Sequence, residues 1–414
     1  MSKKRVSFHT LGCKLNFSES STFARQFEEG GYERVESSAP TDVAVINSCS
    51  VTEHADKKCR NIIRKIHRRN PDAIIAVTGC YAQLKPEEIA AIEGVDIVLG
   101  NNDKGDLYRR VVELQNRGKA EVYGCSYDKI SRFFAAYSSG DRTRSFLKVQ
   151  DGCDYKCAYC TIHYARGASR NIPIADIVKE AEEIVAAGQK EIVITGVNTG
   201  DFGRTTGEKF VDLLRALDQV EGVERYRISS IEPNLITDEI IELCASSPKF
   251  MPHFHIPLQS GSTKLLGAMR RRYTADKYRE RIQKIRELMP DSFLGVDVIV
   301  GFPGEGEEEF MESYRLLEEV GASFLHIFPF SERPGTPAVA MPNKAHSRIA
   351  TARAERLEGL VLFESTNRSG EMLGYTDNYL RVRAPYNERY INQITTVRLI
   401  ELLDENDIRC EIVG

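Results

Sequence analysis

Six short apolar runs between residues 146 and 330, "FLKVQ", "EIVITG", "YRISS", "FHIPLQ", "LGVDVIVGF" and "FLHIFPF", are separated by amphipathic stretches such as "IADIVKEAEEIVAAG" and "DKYRERIQKIREL". Six successive β/α units of this kind imply a full or partial barrel. In barrels the reactive groups sit on loops at the carboxyl ends of strands. The loop after "FLKVQ" reads "DGCDYKCAYCTIHYARG" and holds Cys153, Cys157 and Cys160 within eight residues.

The first hundred residues carry a second alternation. "RVSFHT", "DVAVINS", "AIIAVTG" and "VDIVLG" read as strands, and "ESSTFARQFEEGG", "HADKKCRNIIRKIHRRN" and "KPEEIAAIEG" as helices, the pattern of a parallel α/β sheet domain. Cys13, Cys49 and Cys80 each follow one of these strands, in "TLGCKLN", "INSCSVT" and "TGCYAQ". All three are expected on loops at the sheet's carboxyl edge, where open α/β sheets bind ligands. They converge there, or each is a small buried hydrophobe, a common fate of a free cysteine. Residues 105 to 142 read as a connector, and after "RPGTPAVAMPNKAHS" the segments "LVLFEST", "NYLRVRAP" and "TTVRLIELL" read as short strands of a small β module.

A chain of 414 residues, 42% hydrophobic, suffices for two or three domains. It has no run of about 18 apolar residues, so a soluble, cytoplasmic protein without membrane contact is expected. In a reducing compartment its ten cysteines point to metal or redox chemistry rather than disulfides. The net charge of −4 argues against indiscriminate coating of nucleic acid. "KKCRNIIRKIHRR", where Ile62, Ile63 and Ile66 interrupt a dense basic face, is a local exception suited either to a phosphate track or to solvent.

Three clustered thiolates are one short of a closed structural zinc site. Adding His163 gives a Cys3His site and a non-catalytic zinc protein that binds RNA. An iron-sulfur cubane on three protein ligands instead keeps one iron open for an external molecule.

Cys153, Cys157 and Cys160, with the aromatic Tyr159 before the last cysteine, resemble the motif of the radical S-adenosylmethionine superfamily. There a [4Fe-4S] cluster binds S-adenosylmethionine at its open iron and cleaves it to a 5′-deoxyadenosyl radical. With Cys13, Cys49 and Cys80 ahead of the barrel, nearly the whole chain resembles the methylthiotransferase family. That resemblance implies a second [4Fe-4S] cluster on the early trio, whose open iron carries the sulfur to be inserted. It leaves Cys59, Cys125, Cys244 and Cys410 as structural. It also makes Asn198 in "ITGVNTG", Gln259 and Ser260 in "HIPLQSGS", Arg271 in "MRRRY" and Asp297 in "DVIVGFPGE" candidate S-adenosylmethionine contacts. No catalytic acid or base is expected, because an aromatic C–H offers no acidic proton.

Within the family, "TLGCKLNFSES" is similar to the branch that methylthiolates N6-threonylcarbamoyladenosine beside the tRNA anticodon. The isopentenyladenosine branch, the alternative, has Gln and Met after this cysteine, and the ribosomal-protein branch has Pro. The resemblance implies an N-terminal cluster domain over 1–125, a partial (β/α)6 radical barrel over 142–335, and a TRAM-like RNA-binding β-barrel over 362–414. Its partners are the tRNA anticodon stem-loop, an electron donor such as flavodoxin or ferredoxin, and a sulfur donor, acting on a monomer. His163 stands where the family has proline and Gly306 where it has threonine, and the linker after "NKAHSRIATARAE" is short.

Overall fold

The computed structural model describes residues 3–115, 118–140, 143–358, 371–375, 381–385, 397–403 and 407–412. The chain divides into two compact units, one of residues 1–180, 195–209 and 331–339, the other of residues 181–194, 210–330 and 340–414.

The first unit is built on six parallel strands, β1 (Arg5–Thr10), β2 (Glu33–Val35), β3 (Val43–Ser48), β4 (Ile74–Gly79), β5 (Val95–Leu99) and β6 (Glu121–Tyr123), in the order β2-β1-β3-β4-β5-β6. Helices α1 (Lys14–Glu29), α2 (Glu53–Arg69), α3 (Cys80–Leu84), α4 (Pro86–Ala90) and α5 (Leu107–Glu113) connect them. Strand periodicity divides the core. Val43 and Val45 of β3 pack with Phe23 and Phe27 of α1, while Ala44 and Ile46 pack with Ile63 and Ile66 of α2. Burying each such Val, Ile or Phe contributes about 1.5 to 3 kcal/mol. Helix α2 starts where the Thr52 hydroxyl accepts the Ala55 N–H at 3.2 Å.

The strand order reverses between β1 and β3, which places a topological switch point between the loops that carry Cys13 and Cys49. The stretch read from sequence as a connector contains α5 and the edge strand β6. Three residues are too few for β6 to show an alternation, and α5 has barely two turns. Beyond it in the first unit come β7 (Ser145–Lys148), the three-cysteine loop and α6 (Ile162–Arg166). Helix α7 (Ile174–Ala186) follows.

In the second unit β8 (Glu191–Thr195) and β9 (Arg225–Ile228) pair in parallel. A parallel bridge from Tyr226 to Phe250 leads to β10 (His253–His255), which pairs in parallel with β11 (Phe293–Val300), and β11 with β12 (Phe324–Pro329). The helices between and after them are α8 (Phe210–Asp218), α9 (Asp238–Ser246), α10 (Thr263–Ala268), α11 (Ala275–Leu288), α12 (Glu307–Val320) and α13 (Ser347–Glu358). These strands follow the runs expected from sequence. On β11, Leu294, Val296, Val298 and Val300 are buried, whereas Asp297 lies on the opposite face and is partly exposed.

The last strands, β13 (Glu371–Tyr375), β14 (Arg381–Pro385), β15 (Val397–Leu402) and β16 (Asp407–Ile412), form a sheet in the order β13-β14-β16-β15. Two of its pairs are antiparallel and β14 with β16 is parallel. Val382, Ala384 and Cys410 form its small core. The expected strand "LVLFEST" lies outside the described residues. Among those residues no helix is long and apolar enough to cross a membrane.

Candidate functional site

The early cysteines come together at the carboxyl edge of the first sheet. Cys13 precedes α1, Cys49 follows β3, and Cys80 opens α3 directly after β4. Two glycines permit this. Gly12 has φ +95°, and a Cβ there would lie 2.8 Å from the Cys49 Sγ. Gly79 has φ +96°, and its Cβ would lie 2.3 Å from the Ser48 carbonyl oxygen. Asn16 ties the loops, its Nδ2 donating to the Leu11 carbonyl at 2.7 Å and the Ser48 carbonyl at 3.0 Å. Burial, reinforced by Cys80 and Cys13, pushes the Cys49 thiol up to about 12. Burial likewise raises Cys80, against the opposing charge of Arg166.

The second trio occupies a loop fastened on both sides. Asp151 and Arg170 exchange backbone hydrogen bonds, and the Cys153 N–H donates to the Gly167 carbonyl at 3.0 Å. Gln150 holds the base of the loop, its Nε2 donating to the Gly152 carbonyl at 2.7 Å and to the Ser169 hydroxyl at 2.9 Å. The Cys153 sulfur accepts the Tyr155 N–H and the Cys160 sulfur the Ile162 N–H, each at 3.4 Å. Such bonds suit thiolates that ligate iron. His163 Nδ1 donates to the Cys153 carbonyl at 2.7 Å. Among the described residues, neither trio gathers three ligand atoms within 4.8 Å of one another.

Arg166, the last residue of α6, bonds groups beside both cysteine loops, Asn16 near Cys13 and Asp151 at the base of the second. It is buried, its Nη1 donating to Asp151 at 2.9 Å and Glu19 at 3.2 Å, and its Nη2 to Asn16 Oδ1 at 2.5 Å; its charge also opposes the rise of the Cys80 thiol. Lys104 and Lys148 reach Glu19 at 2.6 and 2.8 Å, and Lys148 and Arg170 reach Asp151 at 2.6 and 3.3 Å. Four buried cations thus face two buried carboxylates, an excess of two positive charges. A buried excess charge is costly without a counter-anion. A thiolate-ligated cluster beside Cys80 and Cys13 supplies that negative charge, so the residues present fit one.

Burial alone would raise the pKa of Glu19, but Lys104, Lys148 and Arg166 outweigh it and hold the carboxyl well below the ordinary range. Asp151 is depressed in the same way by Lys148, Arg166 and Lys104. Carboxylates with depressed folded-state pKa values add stability that is present above the unfolded-state value of about 4 and lost as the pH falls toward the folded one. Urea unfolding of the cluster-free chain is therefore expected to weaken steadily from about pH 5 downward. Glu19→Gln should flatten that slope; an unchanged slope would assign the acid sensitivity elsewhere.

The sequence reading missed this network. Its signal was Lys148 in the otherwise apolar "FLKVQ" and Glu19 among the small residues of "NFSESS".

The candidate cofactor contacts differ in what occupies them. Asn198 is 3% exposed and among the described residues neither its Oδ1 nor its Nδ2 has a hydrogen-bond partner, while its backbone N–H donates to Gln150 Oε1 at 2.9 Å. A buried amide in that state calls for a ligand. Tyr159 lies half-buried in the same unit. In the second unit Gln259 has φ +64° and hydrogen-bonds the Asp297 carbonyl through its backbone. The Ser260 hydroxyl is buried against Ser313 Oγ at 3.2 Å and accepts the Ser262 N–H. Arg271 pairs with Glu232 and donates from Nε to the Tyr273 hydroxyl at 3.2 Å. Asp297 bonds His255 at 2.8 Å. Of the remaining cysteines, Cys59, Cys244 and Cys410 are buried and Cys125 is half-buried.

Two family models match the chain, "Uncharacterized protein family UPF0004" over residues 5–100 and "Radical SAM superfamily" over residues 147–317. The chain is 42% identical to the threonylcarbamoyladenosine tRNA methylthiotransferase MtaB of Bacillus subtilis, over 96% of this chain and 94% of that protein. It is 35% identical to the tRNA-2-methylthio-N(6)-dimethylallyladenosine synthase of Thermobifida fusca, over 86% of this chain and 74% of that one. Among solved structures it resembles the radical S-adenosylmethionine methyltransferase TsrM of Kitasatospora setae, with a TM-score of 0.59 at 15% identity, covering 81% of this chain and 74% of TsrM. That last likeness concerns the fold.

Proposed function

The chain belongs to the radical S-adenosylmethionine methylthiotransferase family, and we propose that it adds a methylthio group to C2 of N6-threonylcarbamoyladenosine beside the tRNA anticodon. The observation that supports the chemistry is a buried arginine, Arg166, that bonds Asn16 beside the early trio and Asp151 at the base of the second trio's loop. The choice of base rests on the higher likeness to the threonylcarbamoyl enzyme, 42% against 35%.

Two [4Fe-4S] clusters and S-adenosylmethionine supply, when bound, the carbon radical and the sulfur that no side chain provides. Cys153, Cys157 and Cys160 would hold one cluster, Cys13, Cys49 and Cys80 the other. The Asn198 amide, buried and without a partner among the described residues, would bind a polar group of the cofactor. Residues 1–125 would then form the auxiliary-cluster domain, 142–335 the partial radical barrel and 362–414 a TRAM-like RNA module. A flavodoxin- or ferredoxin-like donor and a sulfur donor complete a cytoplasmic reaction on the anticodon stem-loop.

Incubating the holoenzyme with reductant, S-adenosylmethionine, sulfide and tRNA bearing threonylcarbamoyladenosine should give the 2-methylthio nucleoside by mass spectrometry. Formation of only deoxyadenosine and methionine would overturn the reading. Product from isopentenyladenosine tRNA alone would move it to the sister branch.

Helix α2 is the candidate tRNA track. Ile63 and Ile66 are buried, leaving Lys57, Lys58, Arg64, Lys65, Arg68 and Arg69 exposed. Replacing Arg64, Lys65 and Arg68 by alanine removes three phosphate-binding charges, so the slope of log affinity against log salt should flatten by about 2 to 3. Filter binding at stepped salt measures this, and an unchanged slope would make α2 a solvated face.

A further inference from the structure

We propose that His255, Asp297 and His326 form a binding site for one divalent transition-metal ion that uses none of the six cysteines of the two trios. The three come from adjacent parallel strands. Asp297 of β11 and His326 of β12 are direct cross-strand partners, and His255 of β10 pairs with Gly295, two residues from Asp297 and therefore on the same face. One ligand atom from each lies within 4.8 Å of the others. His255 and Asp297 are half-buried and His326 is exposed, so an ion has a route in.

The surroundings fix the ligands as a metal site does. The His255 Nε2 lies 2.8 Å from Asp297 Oδ1, the contact that an ion would replace by displacing a proton. The other ring nitrogen, Nδ1, lies 3.2 Å from the Ser230 hydroxyl, which sets the ring's orientation and leaves Nε2 for the ion. The His326 ring stands 5.3 Å from that of His255 and is braced edge-on by Phe324 at 4.6 Å. Two imidazoles and a carboxylate select zinc, iron(II), cobalt(II) or manganese(II) over magnesium or calcium. Three protein ligands leave a coordination position open to an oxygen donor, water or a carboxylate. Asp297 then acts as an ion ligand rather than as the cofactor contact that its sequence context implied.

The test uses the holoenzyme, its clusters built, stripped of loose metal with a chelator and dialysed against limiting zinc. Elemental analysis should find close to one zinc per chain with iron unchanged. His326→Ala and Asp297→Asn should lower zinc affinity by more than about tenfold, and Ser230→Ala by about tenfold, again with iron retained. Because His326 is exposed, its replacement leaves the fold intact. Wild-type enzyme that takes up no zinc, or zinc uptake undiminished in His326→Ala, would overturn the site.

Discussion

Cys157→Ala is expected to reduce cleavage of S-adenosylmethionine to background, while Cys49→Ala leaves cleavage measurable and stops sulfur insertion. The two trios are held by different backbone. Cys157 sits in a loop fixed by Gln150, Asp151 and Arg170, whereas Cys49 hangs from the end of β3 against Gly12. Removing one of three thiolates leaves too few ligands for a cluster, and the loss stays local because the other loop keeps its own anchors. Deoxyadenosine reports the first half of the reaction and the methylthio nucleoside the second. Equal loss of both products in both variants, with the untouched cluster present by iron analysis, would contradict this division of labour.

The sequence displayed the strands and the cysteines because both are local patterns. Strands β3, β4 and β5 are mostly apolar runs and β1 alternates, and Cys49 and Cys80 fall directly after β3 and β4 while Cys13 falls three residues after β1. The carboxyl-edge rule then predicts that they meet, and Gly12 and Gly79 are the backbone devices that let them. The buried charges were hidden for the converse reason. Lys104, Lys148 and Arg166 lie 85 to 147 residues from their partner Glu19, and a lysine or glutamate in isolation reads as surface. The histidines of β10 and β12 were hidden likewise, since only the register of three strands sets them beside Asp297. The resemblance to a family names Asp297 as a cofactor contact, and in the structure its carboxylate bonds His255.

Arg166→Met is expected to destabilise the chain by about 1 to 3 kcal/mol and to empty the early trio of iron while the second trio keeps its own. The energy follows from burial, because the substitution deprives Asp151, Glu19 and Asn16 of a charged donor in a site without water-facing surface. The iron follows from geometry. Arg166 fixes Asn16 through Oδ1, and the other end of that amide holds the Leu11 and Ser48 carbonyls, one residue or two from Cys13 and Cys49. Without the guanidinium the amide is free to rotate, and the two loops lose their common tie. Arg166→Lys keeps the charge but not the fork, so it should recover most of the stability and little of the iron. Asn16→Ala should empty the same trio with a smaller loss of stability. Urea unfolding of the single and double variants gives the coupling between the two residues, expected to exceed about 0.5 kcal/mol; if the two losses simply add, Arg166 does not act on the cysteine loops through Asn16.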